Sequence, residues 1–324
     1  MAGSQLKRLL RAYRDRDDLA FRRAALEIIA EEEAKHHSQL ARDLRRLLVG
    51  AGTTAYGEPA AMAPPPMDRD GEVPLATVTW SQRTLSTLTL PPSLDGKLRE
   101  LLREVAHWED LDRAGVPRRQ RLLLHGPPGC GKTSVASALA RELGAPLAIV
   151  RVDSIMSSYL GETGGNLRRV FDYAARERVV LLFNEFDAVG KERDDPSDHG
   201  ELRRVVNAVL QMMEDYVGPS LLVAATNHPG TLDSAVWRRF DEVLEVPMPT
   251  VHQLQRVMTR ILLGHTDDTV DLQQTALQLK GLPHAAAEKI AFDARRQALL
   301  EGRGMATSSD VERAVADASK RRWA

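Results

Sequence analysis

The chain has 324 residues, 43% hydrophobic and 27% charged, an ordinary soluble composition and enough length for more than one folded unit. Its formal net charge is −1, so no global field draws it to nucleic acid or to a membrane surface. A single cysteine, Cys130, excludes an internal disulfide and a cysteine zinc cluster. Apolar runs such as 179–183 are too short to span a bilayer, and the Arg- and Lys-studded N-terminus lacks the apolar core of a signal peptide; a cytoplasmic location without membrane contact is expected.

Residues 1–50 predict two or three amphipathic helices. Leu6, Leu9, Leu10 and Tyr13 recur at helical spacing, followed by Leu19, Phe21, Ala24, Ile28 and Ile29, then Leu40, Leu44, Leu47 and Leu48. So short a segment buries little alone. It packs as a hairpin, self-associates, docks on a partner, or serves as a solubilising extension. Residues 51–72 lose all periodicity and gather Pro64, Pro65 and Pro66, which predicts a linker. Short β-rich pieces occupy Val73 to Leu90, and a helix follows from Leu94 to Trp108.

From Arg121 a regular alternation begins. Strand-like runs at Leu122–Leu124, Pro146–Val152, Val179–Asn184, Leu221–Thr226 and Val243–Val246 are separated by helical segments at Thr133–Leu143, Gly165–Arg176 and Leu202–Tyr216. Apolar strands separated by helices predict a parallel sheet covered on both faces, a three-layer α/β/α domain over residues 73–249. After Pro249 the pattern is helical, so residues 250–324 form a small helical domain. Its last helix is expected to start at a capping box, Ser309-Asp310-Val311-Glu312.

One turn carries chemistry outright. Gly126-Pro127-Pro128-Gly129-Cys130-Gly131-Lys132-Thr133, followed by Ser134, lies between an apolar strand and a helix. This is the phosphate-loop pattern in the context it requires. Gly126, Gly129 and Gly131 permit backbone conformations that side chains block, so successive N–H groups can line a nest for anionic oxygens at a helix N-terminus. Lys132 is placed to reach the β- and γ-phosphates and Thr133 to ligate Mg²⁺. Cys130 is expected to be a small filler that bound nucleotide shields from alkylation.

With these features in order, the chain resembles the AAA branch of the AAA+ ATPases, the protein-remodelling hexamers, over about Leu90 to Lys320. The resemblance implies a P-loop NTPase fold with a C-terminal helical lid. It also implies ATP and Mg²⁺ as cofactors. Val179 to Ala188 is similar to the family's second motif, an apolar strand ending in Asp-Glu. Here the pair is Asn184-Glu185. Glu185 matches the carboxylate that polarises the attacking water, while Asn184 replaces the metal-side Asp with a neutral amide. That departure leaves three readings: a slow ATPase, a nucleotide switch that scarcely hydrolyses, or a chain carrying an inactivating substitution.

The resemblance assigns further roles residue by residue. Asn227, ending a strand, matches sensor 1 and would hydrogen-bond the γ-phosphate or the attacking water. Arg238 and Arg239 fall where the family keeps arginine fingers, which act on a neighbour's nucleotide and so imply a homo-oligomeric ring, a hexamer in this family. Tyr159, Leu160 and Gly161 occupy the place of pore loop 1, where an aromatic contact grips polypeptide substrate. Gly190 to Gly200 occupies that of pore loop 2. The lid segment Gly281-Leu282-Pro283-His284-Ala285-Ala286 keeps Gly281 and Ala285 but lacks the family's Asp. The implied function is an ATP-driven remodeller that grips polypeptide. The alternative is a nucleotide-gated scaffold; near-neutral charge argues against a nucleic-acid motor. Residues 1–50 would take an adaptor role or dock a separately encoded effector.

Overall fold

In the computed structural model the described residues are Ala25, Ile28, 63–155, 162–186, 208–232, 234–321 and 323. The chain divides into two units, 1–62 and 63–324. Of the first, Ala25 and Ile28 alone are described, and both are helical.

The second unit is built on a six-stranded sheet. Its strands are β1 (Ala76–Thr79), β2 (Arg121–His125), β3 (Leu147–Val150), β4 (Val180–Phe183), β5 (Leu221–Thr226) and β6 (Glu242–Glu245). They lie in the order β1-β3-β4-β5-β2-β6. Every pair from β3 to β6 is parallel. These are the strands expected after Arg121, and they are parallel as expected; β1, from the β-rich segment before them, runs antiparallel to β3. β1 and β3 are not consecutive, β2 lying between them in sequence, so no single crossover unit fixes their relative direction. An antiparallel edge strand on a parallel sheet is the common result.

The strands are apolar on both faces because both are covered. Leu123, Leu181, Phe183, Leu222 and Ala224 pack on one side with the helix Thr163–Arg176. Leu122, Leu124, Val180, Leu182, Val223 and Ala225 pack on the other with the helices Pro92–Ala106 and Lys132–Glu142. The alternation is that of a pleated strand. A further helix occupies residues 208–214.

The helix expected to run from Leu94 to Trp108 is present, ending two residues sooner, and a second, short one follows. The first, Pro92–Ala106, ends at His107, and a six-residue helix Trp108–Arg113 follows. The break lets Trp108 bury its indole beneath the Arg118 guanidinium, 5.1 Å from the ring centroid.

Beyond the sheet come the helices Val251–Leu262, Leu272–Gln278, His284–Leu300 and Ser308–Ser319, which close on their own apolar core. A capping box of Thr250 and Gln253 starts the first. The box of the last helix is Thr307 with Asp310, two residues before the expected Ser309 and Glu312. Asp310 is drawn inward by the backbone N–H of Thr307 at 2.8 Å and by Arg303, which donates to both its oxygens at 2.6 and 2.8 Å. Glu312 instead accepts from the Ser308 hydroxyl at 2.9 Å.

Candidate nucleotide-binding site

β2 stops at His125, and the chain turns through Gly126 (φ 143°), Gly129 (φ 72°) and Gly131 (φ 101°) before entering the helix Lys132–Glu142. Gly126 is required twice over. Its φ is positive, and a Cβ there would lie 2.2 Å from the Val246 carbonyl oxygen. The first-turn N–H groups of the helix have no intrahelical acceptor and, with the dipole, make an anion site. Lys132 is buried, its Nζ donating to the carbonyls of Gly126 at 2.6 Å and Pro127 at 2.8 Å. The ammonium therefore lies over the loop whose anion it would hold.

Cys130 is 2% exposed, its Sγ 3.4 Å from Met248 Sδ, and burial raises its thiol pKa. Packing thus already covers the thiol in this structure.

The parallel register brings three strand ends to this loop. His125 pairs with Thr226 and Phe183 with Ala224, so β2, β4 and β5 finish along one edge. There the Thr133 hydroxyl donates to Asn184 Oδ1 at 3.2 Å. Phe186 is fully buried and its N–H bonds to the Ala225 carbonyl at 2.8 Å. Between these anchors Glu185 stands exposed at φ 54°, the one non-glycine residue with positive φ among the described residues. A cleft of about 410 Å³ is lined by the loop, Asn184, Glu185 and Asn227 on one side and by Leu88 to Leu90, Val257 and His284 on the other. Loop, strand-end carboxylate, two neutral oxygen donors and a half-apolar far wall are what a nucleoside triphosphate with a divalent ion needs.

The pattern that defines the "ATPase family associated with various cellular activities (AAA)" matches residues 122–248. An uncharacterised AAA family ATPase of Sinorhizobium fredii, y4kL, is 35% identical over 99% of this chain and 96% of its own length. The chain belongs to the AAA family of ATPases. A proteasome-activating nucleotidase of Thermococcus onnurineus is 30% identical, over 78% of this AAA chain and 72% of that protein. The crystal structure of a FIGL-1 AAA domain matches with a TM-score of 0.61 at 20% identity, over 75% of this chain and 85% of that one. That last likeness is one of fold.

The remaining residues matched to AAA motifs are spread more widely. Neither Arg238 nor Arg239 lines the cleft of its own chain. Arg238 is exposed, and Arg239 pairs with Glu214 at 3.0 Å. The turn that carries them is held by Asp241, which accepts from Arg121 Nη2 at 2.6 Å and from the N–H groups of Gln120 and Arg121 at 2.9 Å. Burial alone would raise the Asp241 pKa, but these donors outweigh it and hold the carboxyl below its usual range. Tyr159, Leu160, Gly161 and the segment 190–200 lie outside the described residues.

The cleft also holds a segment that no AAA motif pointed to. The segment 83–90 runs along it like a strap. Arg83 Nη1 donates to Ser134 Oγ at 2.8 Å and the Leu85 N–H to Glu142 Oε1 at 3.0 Å. From the C-terminal helices, Arg260 donates to the Thr87 carbonyl, and His284 Nε2 meets the Thr89 carbonyl at 3.1 Å. A carbonyl can only accept, so Nε2 carries a proton, and burial lowers the His284 pKa against the raising effect of the Thr89 bond. The same helices reach the loop directly, the Ala285 N–H donating to the Gly129 carbonyl at 3.1 Å.

Proposed function

We propose that this AAA ATPase binds ATP with Mg²⁺ in the cleft, hydrolyses it, and works as a hexameric ring that grips and remodels polypeptide. The observation that carries the reading is the meeting of Thr133 and Asn184 at 3.2 Å, with Glu185 and Asn227 lining the same cleft. Lys132 and the loop N–H groups would hold the phosphates, and Thr133 and Asn184 the ion. A bound Mg²⁺ would neutralise phosphate charge. Glu185 would take a proton from the attacking water, and Asn227 would orient it. Arg238 and Arg239, lying off their own cleft, would serve the next subunit's nucleotide. Residues 73–249 would form the ATPase body, 250–324 the lid, and 51–72 a tether to the helical segment 1–50, which would dock an adaptor or effector. Tyr159, Leu160 and Gly161 would contact polypeptide. Similarity to a proteasome-activating nucleotidase supports a protein substrate. Calorimetric titration tests the foundation: Lys132→Ala should lower ATP affinity at least tenfold, and unchanged affinity refutes the site.

A second reading, a nucleotide-gated switch, is favoured by Asn184 itself. The pair that would face the ion, Thr133 and Asn184, is neutral, and among the described residues no cluster of three His, Cys, Asp or Glu could hold a metal. Restoring a carboxylate at this place adds charge-assisted attraction for Mg²⁺. Asn184→Asp should therefore raise turnover about tenfold and lower the Mg²⁺ needed for half-maximal rate. Equal rates in both proteins remove Asn184 as the limit.

A further inference from the structure

We propose that Arg83 is a phosphate ligand supplied in cis by the strap, meeting the nucleotide at its α-phosphate. This rests on the cleft being the nucleotide site. Arg83 lines that cleft together with Lys132, Thr133 and Ser134. Its side chain is fixed by one hydrogen bond, Nη1 to Ser134 Oγ at 2.8 Å. A guanidinium has five N–H donors in a planar fork, so most remain for an anion. Among the described residues no carboxylate lies within ion-pair distance of Arg83, whereas the other arginine that lines the cleft has one: Arg260 faces Glu288 at 3.6 Å.

Position along the cleft selects the phosphate. Ser134 follows Thr133, whose hydroxyl marks the metal end with Asn184. Five residues after Arg83 the strap becomes the apolar far wall at Leu88 to Leu90. Arg83 thus stands between the wall that suits a base and the residues that suit the terminal phosphates. The α-phosphate occupies that interval in any nucleoside di- or triphosphate. The strap is clamped on both sides of the cleft, by Glu142 on the loop helix and by Arg260 and His284 on the C-terminal helices, so Arg83 is delivered on a supported backbone.

The test is equilibrium binding of adenosine, ADP and a non-hydrolysable ATP analogue to the full chain, for wild type, Arg83→Ala, Arg83→Gln and Lys132→Ala. A charge-assisted contact to a phosphate predicts that Arg83→Ala weakens ADP and the ATP analogue alike by about tenfold or more. Adenosine binding should be unchanged. Arg83→Gln keeps a donor for Ser134 without the charge and should lose as much as Arg83→Ala. ADP affinity within twofold of wild type overturns the assignment. So does a loss confined to the ATP analogue, an equal loss for adenosine, or full rescue by glutamine. Lys132→Ala separates the two levels: if it too leaves the ATP analogue binding unchanged, the cleft itself has been misread and not Arg83 alone.

Discussion

Glu185 is the residue at which backbone and chemistry conflict. Its φ of 54° lies in the left-handed region, which costs a non-glycine residue about 1–3 kcal/mol. The conformation is imposed from both sides, by Asn184 facing Thr133 and by Phe186 sealed into the core. Glu185→Gly relieves the strain at a glycine cost of about 0.5–1 kcal/mol, and an exposed side chain gives up little packing. We expect denaturant unfolding to show a gain of about 1 kcal/mol, while ATPase activity is lost. A less stable glycine variant would mean that Glu185 contributes contacts which outweigh its strain. Most of this site was legible in the sequence because it is local: the loop from Gly126 to Thr133 and the pair Asn184-Glu185 are contiguous. The strap was not. Arg83 meets Ser134 across 51 positions and His284 meets Thr89 across 195, and no periodicity or motif spacing reports such pairs.

Among the elements, the last helix depends most on a single charge. Asp310 is 2% exposed and accepts from Arg303, from the Thr307 N–H and from the Thr307 hydroxyl. The Arg303 bonds are the largest influence on its carboxyl. Although burial opposes them, the pKa is held far below the ordinary value. Asp310→Ala should lower unfolding stability by about 2 kcal/mol, the scale of hydrogen bonds to a charged group. The pH dependence has a definite sign. A carboxyl whose folded pKa is depressed adds stability above its unfolded pKa, near 3.9. That stability is lost as pH falls below this value toward the folded one. Denaturant curves across that acid range should therefore converge for wild type and Asp310→Ala; parallel curves would place the effect elsewhere. The sequence foretold a cap here but misplaced it by two residues. Ser, Asp and Glu in a row satisfy the capping pattern locally, and the choice was made by Arg303, which local pattern does not weigh. The helix expected over Leu94 to Trp108 ends two residues sooner for a like reason, since burial of Trp108 beside Arg118 is a tertiary matter.

At the scale of the whole molecule, the parallel core could be read from apolar runs alternating with helices. The antiparallel β1 could not, because nothing in a four-residue strand states its direction. The proposed ring also belongs to this scale. If Arg238 completes a neighbour's site, turnover per chain should rise with protein concentration. Arg238→Ala chains mixed into wild type should then depress activity by more than their share. A rate per chain that is independent of concentration, with additive mixing, would show that each chain works alone. Arg239 should show a weaker effect, since it must first leave Glu214.

Gly126 has a consequence beyond the nest it opens. The atom that a side chain there would strike is the carbonyl oxygen of Val246, one residue past β6 and four before Thr250 caps the first C-terminal helix. The point where the phosphate loop starts thus abuts the stretch from which the C-terminal helices depart. With the Ala285 N–H bonded to the Gly129 carbonyl, the loop touches the C-terminal segment at two points. A shift in the loop on nucleotide binding would therefore be felt at two places in the C-terminal segment at once, its entry strand end and the start of the helix His284–Leu300.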